Sequence, residues 1–420
     1  MIRLKKTTSL LAGIVIIFSL TACAPEDPNA VMVKPTQESG QTAAPTDTEH
    51  NTVDNSSIEA LLSGTPAHIS KVFREDFAVE ADVHVSKVKK ADILFAKSMP
   101  FDEQKLLSVF YKGKTPQRSL TSYDDTIMYK DDNSNLNFND GFLGYGTQDY
   151  ASVQFPTDSF SSASDIFTAN RRFSEVYTQE NLGFMTRSEA LETVSDVLTE
   201  LSLDVMDDAE IYAIDSITMQ TQQDEEIQRL IDRQKEAGIS PTQDPTYGYQ
   251  TKDAFTPEDD FYILFFKMVQ NKIPVTQKSY TIQASNRALN GSTARVAFSR
   301  NGIIQLNFNG IYQQQGIAES PSTLISVEEA LREAYEEHNS IISTDKVTVT
   351  AVDFEYVPVP YNSNYDEVKL TPAWCLTLAY ERDKTSNKPS NKPSKDGKQD
   401  SQSSVSNRMI FINAVTGEEI

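Results

Sequence analysis

Cysteine is almost missing from this 420-residue chain, which contains only Cys23 and Cys375. No disulfide framework is available, so stability must come from packing. Histidine is limited to His50, His68, His84 and His338, and none lies in a His-Glu-x-x-His pattern, which removes the commonest zinc-hydrolase signature. Cations are outnumbered: 38 Lys and Arg stand against 60 Asp and Glu, a net charge of −22. This excludes nucleic acid as the partner, because a phosphate backbone rewards clustered Lys and Arg. It also keeps the body of the chain off an anionic membrane surface. A bilayer crossing takes about 20 apolar residues, and the longest apolar stretch, Leu10 to Leu20, falls short of that.

That stretch has another use. Arg3, Lys5 and Lys6 precede it and the small residues of Leu20-Thr21-Ala22-Cys23 close it, the order of a secretory signal peptide. Leu20-Thr21-Ala22-Cys23 resembles a bacterial lipobox. The resemblance implies cleavage before Cys23, recognition through Leu20, Thr21 and Ala22, and acylation of the Cys23 thiol with palmitate-type chains. Several chains are needed for stable anchoring, since one holds a protein only marginally. The expected place is the outer face of the cell membrane. Losing the three cations takes the net charge from −22 to −25. Residues 23–57, rich in Pro, Thr, Ser, Gln and acids, read as a disordered tether.

Folding is expected from Ile58. Residues 58–180 read as an N-terminal α+β domain of strands and meander. Val79, Ala81, Val83 and Val85 alternate with Glu80, Asp82 and His84, the period of a half-buried strand. Asp102 opens a short helix, and Ile127-Met128-Tyr129 and Phe142 to Tyr150 flank a polar turn at Asp131 to Asn135. A repeat follows: Thr186-Arg187-Ser188-Glu189-Ala190-Leu191 recurs as Ser326-Val327-Glu328-Glu329-Ala330-Leu331. Both have the capping-box form, and both continue as amphipathic helices. Strands are expected after each helix: 209–219, 261–268 and 294–298 in the first copy, 347–356, 370–380 and 408–414 in the second. The copies span 181–315, with an insertion at 222–258, and 316–420, with a disordered low-complexity insertion at 384–407. The expected class is α+β, a helix laid on an antiparallel meander twice over.

The second copy resembles the PepSY-like family through Ser326 to Leu331 and the terminal Asn413-Ala414-Val415-Thr416-Gly417-Glu418. The folded region as a whole is similar to uncharacterised clostridial lipoproteins. Its layout, with Lys272-Ile273-Pro274-Val275 after the first-copy strand, resembles the YycH/YycI extracellular regulators, which implies binding to another envelope protein. Those regulators are tethered by a transmembrane helix, where this chain has a lipobox.

Catalytic chemistry is scarce. Asp131, Asn133 and Asn135 begin like a calcium loop, but Leu136 replaces its glycine and Phe142 its bidentate glutamate. Ser-x-x-Lys occurs at Ser86 to Lys89 and Ser343 to Lys346 without a Lys-Thr-Gly companion. Cys375, between Trp374 and Leu376, reads as a buried hydrophobe, and His338 as a solvated helical residue. No catalytic residue, metal ligand or cofactor is expected. Tyr356, Tyr361 and Tyr365, near one hairpin, are candidate partner-binding residues, since Tyr buries area with few rotors. The expected function is non-catalytic: a lipid-anchored protein that binds or modulates another envelope protein or peptide. The alternatives are a solute-binding lipoprotein, which requires a deep pocket, and a carboxylate-dependent glycan hydrolase, which requires facing acids such as a partner for Asp259 or Asp260.

Overall fold

The computed structural model describes residues 57–121, 125–157, 173–238, 246, 250–282, 287–289, 291–340, 345–361, 367–381 and 405–420. The signal segment, the tether, Tyr365 and most of the 384–407 insertion lie outside these residues.

Helix α1 (Ile58–Gly64) leads into β1 (His68–Arg74), β2 (Phe77–His84) and β3 (Ile93–Ser98). Helix α2 (Glu103–Phe110) precedes β4 (Gln117–Leu120), β5 (Ile127–Lys130), β6 (Ser134–Asn139) and β7 (Phe142–Thr147), and α3 (Gln148–Val153) follows. The first repeat comprises α4 (Arg187–Glu200), β8 (Val205–Ile214), α5 (Ser216–Glu236), β9 (Phe261–Gln270), β10 (Ile273–Pro274), β11 (Tyr280–Ile282), β12 (Arg287–Leu289), β13 (Thr293–Ser299), β14 (Gly302–Asn309) and β15 (Tyr312–Glu319). The second comprises α6 (Val327–Ser340), β16 (Lys346–Pro360), β17 (Glu367–Glu381) and β18 (Val405–Asn413). The class is α+β, as the alternation of periods indicates.

Two large sheets carry the architecture. A seven-stranded sheet runs β1-β2-β16-β17-β3-β15, with β18 also on β17. A nine-stranded sheet runs β10-β9-β13-β14-β7-β6-β5-β4, with β8 also on β9. Residues 58–157 therefore share both sheets: β1 to β3 join the second repeat, and β4 to β7 join the first. Strand β2 pairs in parallel with β16, fastening the start of the folded region to its end. Strand alternation reports which face of a strand is buried but not which neighbour it pairs with.

The two capping boxes superpose in kind. Thr186 N–H donates to Glu189 Oε2 at 2.9 Å and Glu189 N–H returns to Thr186 Oγ1 at 3.3 Å. The Ser326 and Glu329 pair does the same at 2.8 and 3.2 Å. Each helix then lays its stripe on its own meander. Ala190, Val194 and Leu198 pack with Tyr262, Leu264, Val296 and Phe298. Val327, Ala330, Leu331 and Ala334 pack with Phe354, Trp374, Leu376 and Ile412. Trp374 is a core residue: its Nε1–H donates to the Ile325 carbonyl at 3.1 Å.

Several expectations shift: the strand expected over Phe142 to Tyr150 gives way to α3 at Gln148, and β18 begins at Val405, inside the expected insertion. The strand expected over 209–219 ends at Ile214, because Asp215 accepts from Thr218 N–H at 2.9 Å and starts α5. His338 is buried rather than solvated, with its ring centroid 5.3 Å from that of Phe77, and burial holds its pKa below the ordinary value. The buried face of α6 is one position wider than its aliphatic stripe.

The capping boxes yield a direct test. Thr186→Ala and Ser326→Ala should each lower stability by about 1 kcal/mol in denaturant titration. Since they lie on separate helices, the double variant should lose the sum within about 0.5 kcal/mol. A loss confined to one of the two would contradict equivalent capping.

Candidate functional site

The sheets meet at a buried cluster of charge. Strand β9 is apolar from Phe261 to Phe266 and then places Lys267 toward the other sheet. There Lys267 Nζ donates to Glu355 Oε1 at 3.1 Å and to Asp353 Oδ1 at 3.5 Å. The two acids are two residues apart on β16 and so share a face. Their neighbours Val352, Phe354 and Tyr356 point the other way, into the core beneath α6. In register, Asp353 lies between His84 on β2 and Cys375 on β17, and His84 Nδ1 is 3.1 Å from Asp353 Oδ1. Backbone bonds close the joint: Thr276 N–H donates to the Tyr356 carbonyl at 2.9 Å, and Val275 bridges Tyr356 in parallel.

Burial and pairing set the protonation states. Burial pushes the Lys267 ammonium toward lower pKa, but the charges of Glu355 and Asp353 outweigh it and hold the proton on more tightly. Burial also opposes the Asp353 charge, yet the His84 hydrogen bond and Lys267 carry its pKa below the usual carboxylate range. Glu355, more deeply buried, is pushed up by burial against the pull of Lys267. Burial drives the Cys375 thiol well up, with the two acids adding to the effect. The amine is thus no nucleophile and the sulfur no thiolate. This cluster acts as an ion-pair joint between sheets. Among the described residues, no group of three or more His, Cys, Asp or Glu is arranged to hold a metal.

The tyrosines separate. Tyr356 is fully buried and its hydroxyl donates to the Asp92 carbonyl at 2.8 Å, so it offers no surface to a partner. Tyr361 is 43% exposed, 5.1 Å from the Phe95 ring, with its hydroxyl 3.2 Å from Glu367 Oε2. Tyr365, Cys23 and Leu20 to Ala22 lie outside the described residues. Asp131 makes a turn, as expected: it accepts from Asn133 and Ser134 N–H. Burial opposes its charge, but those amides together with Ser134 and Lys114 bring its pKa down to about 2.

Among the described residues, Asp259 and Asp260 each have partners of their own. Asp259 pairs with Lys252 and caps Thr256, while Asp260 accepts from Ser216 N–H at 2.7 Å. A recess of about 430 Å³ gathers Glu333, Glu336 and Glu337 from α6 with Glu418 and Glu419 after β18. Burial first, then a hydrogen bond donated to Glu337, raises the Glu419 pKa to about 7, with Arg408 opposing. Lys267, Asp353 and Glu355 escaped sequence reasoning although a signal was present: lone charges interrupt two strands that are otherwise apolar on both faces.

No family model matches the chain, and no curated protein does. A solved structure, that of an uncharacterised protein from Eubacterium rectale, is similar with a TM-score of 0.60 at 16% identity, covering 87% of this chain and 96% of that one. This likeness extends to the fold.

Two measurements probe these charges. Lys267→Met should destabilise the protein by roughly 3 kcal/mol, the low end for a broken buried pair, since the Lys267 side chain is 35% exposed. Adding Glu355→Gln should recover part of that loss, and no recovery would refute the joint. At Glu419, the folded state keeps a proton that the unfolded chain releases near its ordinary carboxyl pKa. Its contribution is therefore present at acid pH and lost as pH rises through about 7. The melting temperature of the wild type minus that of Glu419→Gln should fall between about pH 5 and 8; parallel curves would refute the raised pKa.

Proposed function

We propose that the chain is an extracytoplasmic lipoprotein, anchored through acyl chains on Cys23, that binds or modulates another envelope protein or peptide without catalysing a reaction. The carrying observation is how the fold spends its polar groups. The buried acids Asp353 and Glu355 are paired with Lys267 between the sheets, while strand edges face outward. Among the described residues β1 pairs only with β2, β4 only with β5, and β15 only with β3. These edges carry the exposed apolar side chains Val72, Leu120 and Ile317. Open edges with apolar side chains are the ordinary means by which a sheet takes up an extended peptide. The repeated capped helix and meander support a PepSY-like scaffold presented on a tether.

The lipobox reading has its own test. In cells fed an alkyne fatty acid, the wild-type chain should incorporate label, and Cys23→Ala should lose it and accumulate as uncleaved or released protein. Undiminished labelling of Cys23→Ala would overturn the anchoring. Crosslinking of the anchored chain should then return a discrete envelope partner, and the absence of any adduct would overturn the binding role.

A further inference from the structure

The two repeats differ in one strand. In the first, the chain leaves β13, turns at Asn301-Gly302 with Gly302 at φ 100°, and returns as β14, antiparallel to β13 over its full length. In the second, the chain leaves β18 and turns at Thr416-Gly417, with Gly417 at φ 81°. Both glycines take the left-handed conformation that such a reversal needs. After the second turn, Glu419 bridges Ile412, Asn413 N–H donates to the Glu418 carbonyl, and Ile420 N–H donates to the Phe411 carbonyl. The position filled by β14 in the first repeat is thus begun in the second, opposite Phe411 to Asn413. Farther along, no described strand lies beside β18 on that side.

The backbone there is set to pair. The N–H and C=O of one strand residue point to the same edge, and successive residues alternate. Phe411 and Asn413 point outward, as their bonds to Ile420 and Glu418 show. Val405, Asn407 and Met409 consequently aim their amides outward too, while Ser406, Arg408 and Ile410 serve the ladder with β17. Ser406, Asn407 and Arg408 are exposed.

Charge identifies the occupant. The acidic recess, with Glu333, Glu336, Glu337, Glu418 and Glu419, borders the filled end of this edge on the α6 side. The Arg408 charge opposes the rise of the Glu419 pKa. A second copy of this chain is disfavoured, because it would bring together two molecules that each carry a net charge of −22. The Lys-rich insertion of the same chain is a poor strand, since Pro389 and Pro393 cannot donate to a ladder.

We propose that the β18 edge from Val405 to Ile410 takes up an extended strand of a partner protein, antiparallel to β18 and bearing Lys or Arg on the side facing α6. This rests on the partner-binding role above and assigns its location and chemistry.

The experiment uses the full chain and a synthetic peptide of about nine residues, a strand's length, alternating Lys and Ile, in salt of about 150 mM to suppress diffuse attraction. Hydrogen exchange should show Asn407 and Met409 unprotected in the free protein and protected with the peptide. Asn407→Pro removes an outward donor without touching the β17 ladder. It should weaken binding by at least about tenfold, with the melt confirming a folded protein. Glu336→Gln with Glu337→Gln should also weaken it, as should a peptide of equal composition with its lysines in one block. Protection at β1, β4 or β15 instead, unchanged binding to Asn407→Pro, or amides already protected in the free chain would each overturn the inference. A photo-crosslinker placed at Asn407, Gln117 or Gln315 of the anchored chain in cells separates it from the broader role. Adducts at Gln117 or Gln315 but not Asn407 sink the β18 edge and leave partner binding intact; no adduct at any position sinks both. An adduct at Asn407 supports the inference when it maps to an extended basic segment and is lost in Met409→Pro.

Discussion

Lys267 is the point at which two sheets become one structure. Its ammonium crosses from β9 to two acids on β16, and desolvating it is tolerable only because both acids are in place. Strand β16 is consequently buried on both faces for different reasons. Phe354 and Tyr356 face an apolar core, while Asp353 and Glu355 face the joint. Val357, Ala373, Cys375 and Phe411 form a small apolar patch on the joint side of the same sheet, which explains a cysteine buried beside acids without any redox or nucleophilic role. Ion pairs of this kind specify an arrangement more than they stabilise it, because two well-packed apolar side chains hold sheets together at least as firmly. From one position on β9, Lys267 contacts both acids on β16.

Much of the fold was legible because it is written in periods. Val79, Ala81 and Val83 mark one face of β2, and the two Ser/Thr-x-x-Glu boxes mark both helix starts to the residue. The sheet membership of β1 to β7 was not legible, since a strand that alternates correctly satisfies any neighbour whose face matches. Pairing β2 in parallel with β16 joins segments far apart in sequence, and no local pattern announces that. Sequence distance hid the joint in the same way, as Lys267 and Glu355 acquire meaning only together. Tyr356 is different. Its burial follows from the same alternation that buries Phe354, so its position on the strand outweighed the general preference of tyrosine for recognition surfaces.

The recess beside α6 shows how a strongly acidic chain handles its own charge. Most carboxylates stand in solvent, where repulsion is screened beyond about 8–10 Å at ordinary salt. Beside Glu337, burial and the neighbouring carboxylate raise the Glu419 pKa to about 7, and the Arg408 charge opposes that rise.

The two capped helix-and-meander units differ at the fourth strand. In the first copy β14 passes its outer edge to β7, and through it to β6, β5 and β4, so that copy is consumed in building a wide sheet. In the second, Glu419 bridges Ile412 past the turn, and the outward amides of Asn407 and Met409 meet no described strand. A closed first copy supplies rigidity, and through Lys267 it braces the strand next to β17, on which β18 is laid. An edge held in this way enters binding already in the strand conformation, so the ordering entropy of recognition falls mainly on the incoming peptide. The same bracing places Glu419 at the filled end of that edge, where it bridges Ile412.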